Sequence, residues 1–496
     1  MARLFLGLDS STQSLSAIVI DYDARQVVYE HSLNFDRALP HYRTQNGVLP
    51  DADPLVKHSP PMMWAEALDM MFEQMRQDGV ALKDVRAVAG SGQQHGSVYL
   101  KADGRSLARP TSPIWMDSST SAECAEIREA LGGVAATAEA TGSDAFERFT
   151  GPQIRKFYKT EPESYRQTAH IALVSSYMAG LLAGRIAPID HGDGAGMNLM
   201  DIRAKQWWPA ALDATAPELA GKLPALAPST HIIGPVSRRF GLNEDAVALV
   251  WSGDNPCSLI GLGLLEEGQI AISLGTSYTY FGLMKTCRTD PRGEGHVFVS
   301  PTGDYMTLIC FKNGSLARER IRDQYGLDWP RYERMLQQTK PGNGILLPWF
   351  EAEIVPRVNK PGIHRFDLDP NDAGANCRAL VEAQMMSMRL HSAWMNVKPK
   401  RIVATGGGSV NPGVLQIMAD VMNCPVTRME VSKSAALGAA LIAAKGYFRT
   451  TEWKEIVAGF TDPVPNSEVR PANAKAYDTL IRKYAECEAR SLPRAN

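Results

Sequence analysis

The sequence predicts an α/β protein of two domains, and three features carry that expectation. A strand, a tight polar turn and a second strand are written twice, nearly half the chain apart. The first copy is an apolar run at 4–8, the turn Asp9-Ser10-Ser11-Thr12-Gln13-Ser14 and an alternating run at 15–21; the second is a run at 270–274, the turn Gly275-Thr276-Ser277 and a run at 278–283. A further apolar run at 401–405 leads into Gly406-Gly407-Gly408-Ser409, and Asn411-Pro412 then supplies an N-cap and N1 pair for a helix. At 496 residues the chain exceeds what a single core holds.

Each element carries a chemical expectation. Hydroxyls and backbone N–H groups gathered in a tight turn form an anion cradle, and two facing cradles would grip a polyphosphate from both sides. Read singly, each is equally an ordinary hairpin whose small polar residues only satisfy the turn. The glycine run at 406–408 lets backbone approach a phosphate or ribose closely. It is not a Rossmann fingerprint, because its glycines are consecutive, and the chain contains no P-loop.

Composition excludes several classes. A formal charge of −2 with 44% hydrophobic residues favours neither nucleic acid nor an anionic membrane as partner. Asp9 interrupts the apolar start before a signal-peptide core forms, and the least polar late stretch, 435–444, is about half of the roughly 20 residues a membrane span needs. The expected compartment is the cytoplasm. Seven cysteines lie far apart without a C-x-x-C and read as core thiols, neither a disulfide framework nor a zinc site.

Along the chain, a strand at 87–90 runs into the polar loop Ser91-Gly92-Gln93-Gln94-His95-Gly96-Ser97, and the turn-rich segment 190–198 follows later. The pattern loosens between Ile232 and Trp251, which places a domain junction near Ala246, before a strand at 247–250. Trp251-Ser252-Gly253-Asp254-Asn255-Pro256 delivers Asp254 at the carboxyl end of that strand, where open α/β sheets place ligands. Gly253 and Pro256 are expected to hold Asp254 in a turn and out of any helix. There it is either a general base for an alcohol attacking phosphorus or an Asx-turn residue. Residues 372–396 carry apolar positions at helical spacing ahead of Pro399, and the alanine-rich run 434–444 is expected to be a tightly packed helix.

Taken in order, these pieces resemble the FGGY carbohydrate kinases of the actin and hexokinase superfamily. The supporting strings are GLDSSTQS, SGQQHGSVY, PIWMDSST at 113–120, ERFTGPQI at 147–154, GMNLMDI at 196–202, GDNP, ISLGTS, CFKNGSLARE at 310–319 and ATGGGS. Within the family the strings are most similar to those of the animal kinases acting on D-xylulose. The resemblance covers residues 3 to about 450. It implies two ribonuclease-H-like domains around a central cleft, 1–246 binding mainly sugar and 247–455 binding mainly ATP. In the tail, 456–496, Tyr477, Leu480, Ile481 and Tyr484 stand at amphipathic-helix spacing and predict a helical extension.

Carried over residue by residue, the resemblance implies Asp254 as general base and His95, Arg148, Asn255 and Gln94 as sugar ligands. Asp9 resembles the aspartate that organises Mg²⁺, often through water. Ser11, Thr12 and Thr276 match the two phosphate-facing turns, and Trp329, Gly407, Gly408 and Asn411 fall where relatives contact adenosine. His95 also reads as a hydrogen-bonded structural histidine, and Trp329 as surface packing. Gly408 stands where many relatives have alanine, and Ser10-Ser11 where many have a glycine. The expected reaction is ATP-dependent phosphorylation of D-xylulose. A kinase for another ketose or polyol such as ribulose, and a catalytically silent sugar sensor, are the alternatives. The presence of both Asp9 and Asp254 argues against silence. A homodimer is compatible with the resemblance.

Overall fold

The computed structural model describes residues 3–430 and 433–492 and builds two α/β sheets on one plan. In the first, Leu4–Ser10, Ser14–Asp21 and Gln26–Asn34 form an antiparallel meander. Leu4–Ser10 then pairs in parallel with Val85–Gly92, which pairs in parallel with Val247–Leu249. In the second, Gln269–Leu274, Tyr278–Met284 and Tyr305–Phe311 form the meander. Gln269–Leu274 pairs in parallel with Arg401–Thr405, and that strand with Val426–Arg428. The doubled hairpin of the sequence is therefore the start of a doubled five-strand unit. His296–Val299 adds an edge strand to the second sheet beyond Tyr305–Phe311.

The junction expected near Ala246 is displaced. Val247 and Ala248 pair with Ala87 and Val88, and Ser252 and Gly253 with Ser91 and Gly92, so the first sheet holds the chain through 253. The second sheet opens at Gln269. The loosened stretch contains the strand Ile232–Pro235, which lies at the sheet edge, where Gly234-Pro235 is tolerated because one side needs no ladder hydrogen bond.

The alanine-rich run forms the helix Ser434–Phe448, buried along most of its length. A side chain on Gly7 would overlap the Ala436 carbonyl, and one on Gly438 the Cys257 carbonyl. The helix thus lies in backbone contact with the first sheet and with the helix Asp254–Gly261, and its small residues are what permit that approach. The main apolar core runs continuously from Phe5 and Ile18 of the first sheet to Ile270 and Val403 of the second. Five cysteines are buried, Cys287 and Cys310 are half-buried, and all seven are free.

The expected 372–396 helix is Ala373–His391, started by Asp372 accepting from Ala375 N at 2.9 Å. Trp394 falls in the following single turn. In the tail, Ala474–Ser491 is helical and buries Tyr477 and Tyr484. Tyr477 donates to Glu382 at 2.7 Å and accepts from Arg378 at 2.9 Å, which fastens the tail to Ala373–His391. Residues 493–496 of that extension lie outside the described residues.

Candidate active site

Parallel pairing on both sides of Val85–Gly92 carries two aspartates to one edge of the first sheet. Asp9 and Ser252 both lie opposite Ser91, which puts their backbones about 10 Å apart, twice the strand spacing. Ser91 Oγ donates to Asp9 Oδ1 at 2.7 Å. Burial pushes the Asp9 carboxyl up to about 6, against that hydrogen bond.

Asp254 is the first residue of a helix, contrary to the turn expected of it. Gly253 is extended and takes the N-cap position, and Pro256 sits in the first turn, where the N–H it lacks has no intrahelical acceptor. The carboxylate consequently lies at the positive end of the helix. Asn255 donates to it from its backbone N at 2.9 Å and from Nδ2 at 3.0 Å, and Nδ2 also reaches Gln94 Oε1 at 2.7 Å. Burial, then the charge of Asp9, raises Asp254 to about 7, and the Asn255 and Gln94 backbone N–H groups oppose the shift. Gln94 Nε2 is buried without a partner, a free donor beside this carboxylate.

His95 holds a left-handed backbone with φ 72°, a strained state for a non-glycine residue, and it is buried. Its Nδ1 lies 2.8 Å from the Gly196 carbonyl, which can only accept. Nδ1 therefore carries the proton, and Nε2 is left as a bare acceptor. The ring stacks on Phe149 at 4.3 Å and 26°. Burial, then the charge of Arg148, lowers its pKa to about 3, so the ring is neutral. The Arg148 guanidinium sits 5.6 Å from the Phe146 ring centre. It forms no ion pair among the described residues.

The nucleotide-side candidates divide. Ser11 spends its hydroxyl inside its own turn, on Ser14 O at 2.9 Å. Thr12 Oγ1 accepts from Trp115 Nε1 at 2.8 Å, which joins the first turn to the PIWMDSST segment. Thr276 is exposed on the second turn, and Gly275 is pinned from below by Ser315 N at 3.1 Å. The glycine run lies on Leu274, directly before that turn; Gly407 is open and Gly408 buried. Asn411 Oδ1 caps the helix Pro412–Met422 through Val414 N at 3.0 Å. Trp329, at the start of the helix Trp329–Gln338, is 41% exposed, with the Arg322 guanidinium 4.4 Å from its ring centre.

Three further groups belong to this region and escaped the sequence reading. Arg318, 4% exposed, has no carboxylate partner among the described residues. It donates to Ser315 Oγ at 2.7 Å, its Nε is unpartnered, and its Nη2 fills the space a Cβ on Gly408 would need. The glycine at 408 was the legible signal. Asp190 and Asp193 lie behind Asp254: Ser252 Oγ donates to Asp190 at 2.5 Å and Ser175 Oγ to Asp193. Burial raises Asp190 to about 6 and Asp193 well above the carboxylate range, and the Asp190 and Asp254 charges add to the latter.

Asp9 and Asp254 have no cationic side chain within ion-pair distance, and no three His, Cys, Asp or Glu side chains cluster as metal ligands among the described residues. Two like-charged, desolvated carboxylates fit a Mg²⁺ ion that keeps most of its water and arrives on substrate phosphates.

Residues 4–261 match the N-terminal domain and residues 270–447 the C-terminal domain of the FGGY family of carbohydrate kinases. The chain is 41% identical to a rat protein named xylulose kinase, over 99% of this chain and 98% of that one. It is 42% identical to xylulose kinase 2 of Arabidopsis thaliana, over 90% and 87%. Among solved structures, a xylulose kinase from Rhodospirillum rubrum superposes with a TM-score of 0.85 at 21% identity, covering 98% of this chain and 99% of that one. A gluconate kinase from Lactobacillus acidophilus does so at 0.86 and 19%, covering 99% and 98%, so the fold by itself does not choose the sugar. This chain belongs to the FGGY family of carbohydrate kinases.

Proposed function

We propose that the chain transfers the γ-phosphoryl group of ATP to D-xylulose, giving D-xylulose 5-phosphate and ADP. The substrate follows from full-length identity near 41% to proteins named xylulose kinase. The chemistry rests on one observation: Asp254, raised to about 7 at a helix N-terminus, is tied through Asn255 to Gln94, the residue before the neutral His95, whose ring feels the charge of the unpaired Arg148.

Asp254 is the general base. As the sugar O–H attacks phosphorus, its proton passes to the Asp254 carboxylate, the new O–P bond forms, and the bond to the β-phosphate oxygen breaks with its electron pair leaving on ADP. A base with a pKa near the working pH is well matched to this transfer. Asn255, donating to Asp254 Oδ1 and to Gln94, fixes the carboxylate's orientation. His95 Nε2 accepts one sugar hydroxyl, while Arg148 and Gln94 Nε2 donate to others.

Asp9 would hold Mg²⁺, directly or through water, and the ion supplies neutralisation of phosphate charge. Ser11, Thr12 and Thr276 face the phosphates through their turns, and Trp329, Gly407, Gly408 and Asn411 border the nucleoside. Arg318 belongs with them, since a buried guanidinium without a counter-ion is costly until an anion arrives. Seven free cysteines suit a reducing compartment such as the cytoplasm, and no helix of the described residues is long and apolar enough to cross a membrane.

The deciding experiment measures ADP release by the purified protein against a panel of ketoses and polyols. D-xylulose should give the highest kcat/KM. A higher value for ribulose or a triose polyol overturns the substrate, and no sugar-stimulated ADP release at all overturns the kinase.

A further inference from the structure

The sugar ligands named so far all come from the first sheet and its appendages, or from the Asp254–Gly261 helix. The edge strand His296–Val299 of the second sheet meets them from the other side. Val297 N donates to the Gly142 carbonyl of the first half at 2.8 Å, and Gly142 and Gly192 lack side chains where the carbonyls of Val297 and Val299 approach. Strand alternation then turns His296 and Phe298 together toward the first half. The His296 ring meets Phe146 edge-on at 4.8 Å and 74°, lies 5.3 Å from Phe149, and places Nδ1 3.3 Å from Ser143 Oγ; Phe298 lies 6.4 Å from His95. Phe149 is thus shared by two imidazoles, one from each half of the molecule.

We infer that His296 is a specificity-determining residue that hydrogen-bonds the ketose from the second half of the molecule, opposite His95. It thereby makes sugar recognition depend on the two halves being closed. Three observations converge. His296 is only 2% exposed, yet the side chains around it are three phenylalanines, a serine and the cationic Arg148, with no carboxylate to hold it charged. Burial, then Arg148 and His95, keeps it neutral. Nδ1 of His296 is taken up by the Ser143 hydroxyl at 3.3 Å, which leaves Nε2 as the polar atom of the ring open to a ligand. Nε2 of His95 is likewise open, as a bare acceptor. The two rings therefore each offer an Nε2 to neighbouring hydroxyls of a polyol, whose O–H groups both donate and accept. A ketose seated between them would bridge the halves and exclude water from the reacting phosphate.

This inference rests on the ketose kinase reading, and its test separates the two. Ketose KM, ATP KM and kcat are measured for the wild type, His296→Asn, His296→Gln and Ser143→Ala. Asparagine keeps an amide near the Nδ1 position and loses the Nε2 contact, whereas glutamine reaches the Nε2 position. His296→Asn should raise ketose KM about tenfold or more while ATP KM stays within about twofold, and His296→Gln should recover most of the loss. Ser143→Ala, which unpins Nδ1, should raise ketose KM by a smaller factor. Unchanged ketose KM in His296→Asn overturns the inference and leaves the kinase intact. Parallel rises in ketose and ATP KM, or no recovery in His296→Gln, reduce His296 to packing and overturn it as well. A wild type that phosphorylates no ketose removes the functional reading and this inference with it.

Discussion

Gly408 and Arg318 share one volume: the guanidinium of Arg318 occupies the space into which a side chain at 408 would grow. A Cβ at 408 would overlap Arg318 Nη2, so the glycine is what admits the buried cation. Gly408→Ala should displace Arg318 and raise ATP KM about tenfold, with ketose KM nearly unchanged. Because both changes remove the same contact, Gly408→Ala combined with Arg318→Ala should be no worse than Arg318→Ala alone. Additive losses in steady-state kinetics would separate the two residues.

Asp254→Asn keeps the size of the side chain and most of its hydrogen bonding, and removes only the proton acceptor. We expect kcat to fall by roughly 10²–10⁴ while ketose binding changes far less. Turnover near the wild-type rate would reduce Asp254 to a first-turn helix residue that accepts from Asn255.

Asp9→Ala removes the carboxylate proposed to hold Mg²⁺ and also the charge that helps to raise Asp254. The Mg²⁺ concentration for half-maximal activity should rise several-fold, with ketose binding in the absence of nucleotide nearly intact. An unchanged Mg²⁺ requirement would make Asp9 a strand residue that only accepts from Ser91.

Arg148→Ala should raise ketose KM by about 10–100-fold, the cost of leaving one or two hydroxyls unpaired at roughly 1–3 kcal/mol each. ATP KM should move by less than about twofold. Equal effects on both substrates would place Arg148 in the closure contact between the halves and not on the sugar.

Asp190 gives a pH dependence of stability. Its pKa is raised in the folded state, from 3.8 to about 6, by burial. Between those values the folded protein holds more protons than the unfolded chain, so this group's contribution is complete below about pH 4 and is lost as pH rises through about 6. Asp190→Asn removes the titration and keeps an acceptor for Ser252 and for the backbone N–H groups of Gly192 and Asp193. The stability of the variant relative to wild type should therefore rise between about pH 4 and pH 6, by on the order of 2–3 kcal/mol. A flat difference in denaturation midpoints over that range would contradict the assignment.

The parts legible in the sequence are those set by local pattern. Alternating apolar residues around Asp9 to Ser14 and Gly275 to Ser277 specify hairpins wherever they sit, because side-chain period and turn chemistry act within a few residues. The same holds for the capped helix after Gly406 to Ser409 and for the small-residue helix Ser434–Phe448, whereas Asp9, read into the turn, lies in the strand Leu4–Ser10 because Ser16 and Ser91 pair with it on both sides.

What only the tertiary structure decided depends on partners distant in the chain. Val247–Leu249 joined the first sheet because a parallel neighbour more than 150 residues earlier offered it a ladder. Asp254 entered a helix because extended Gly253, held on Gly92, fixed the N-cap and left Pro256 harmless in the first turn. That Arg318 lies buried against Gly408 without a counter-ion, and that His296 turns toward Ser143 and Phe146, are likewise properties of surroundings assembled from both halves. Local sequence fixes which groups a turn or strand end presents. Desolvation and charge pairing depend on what closes over those groups, and here that is the packing of one half of the chain on the other.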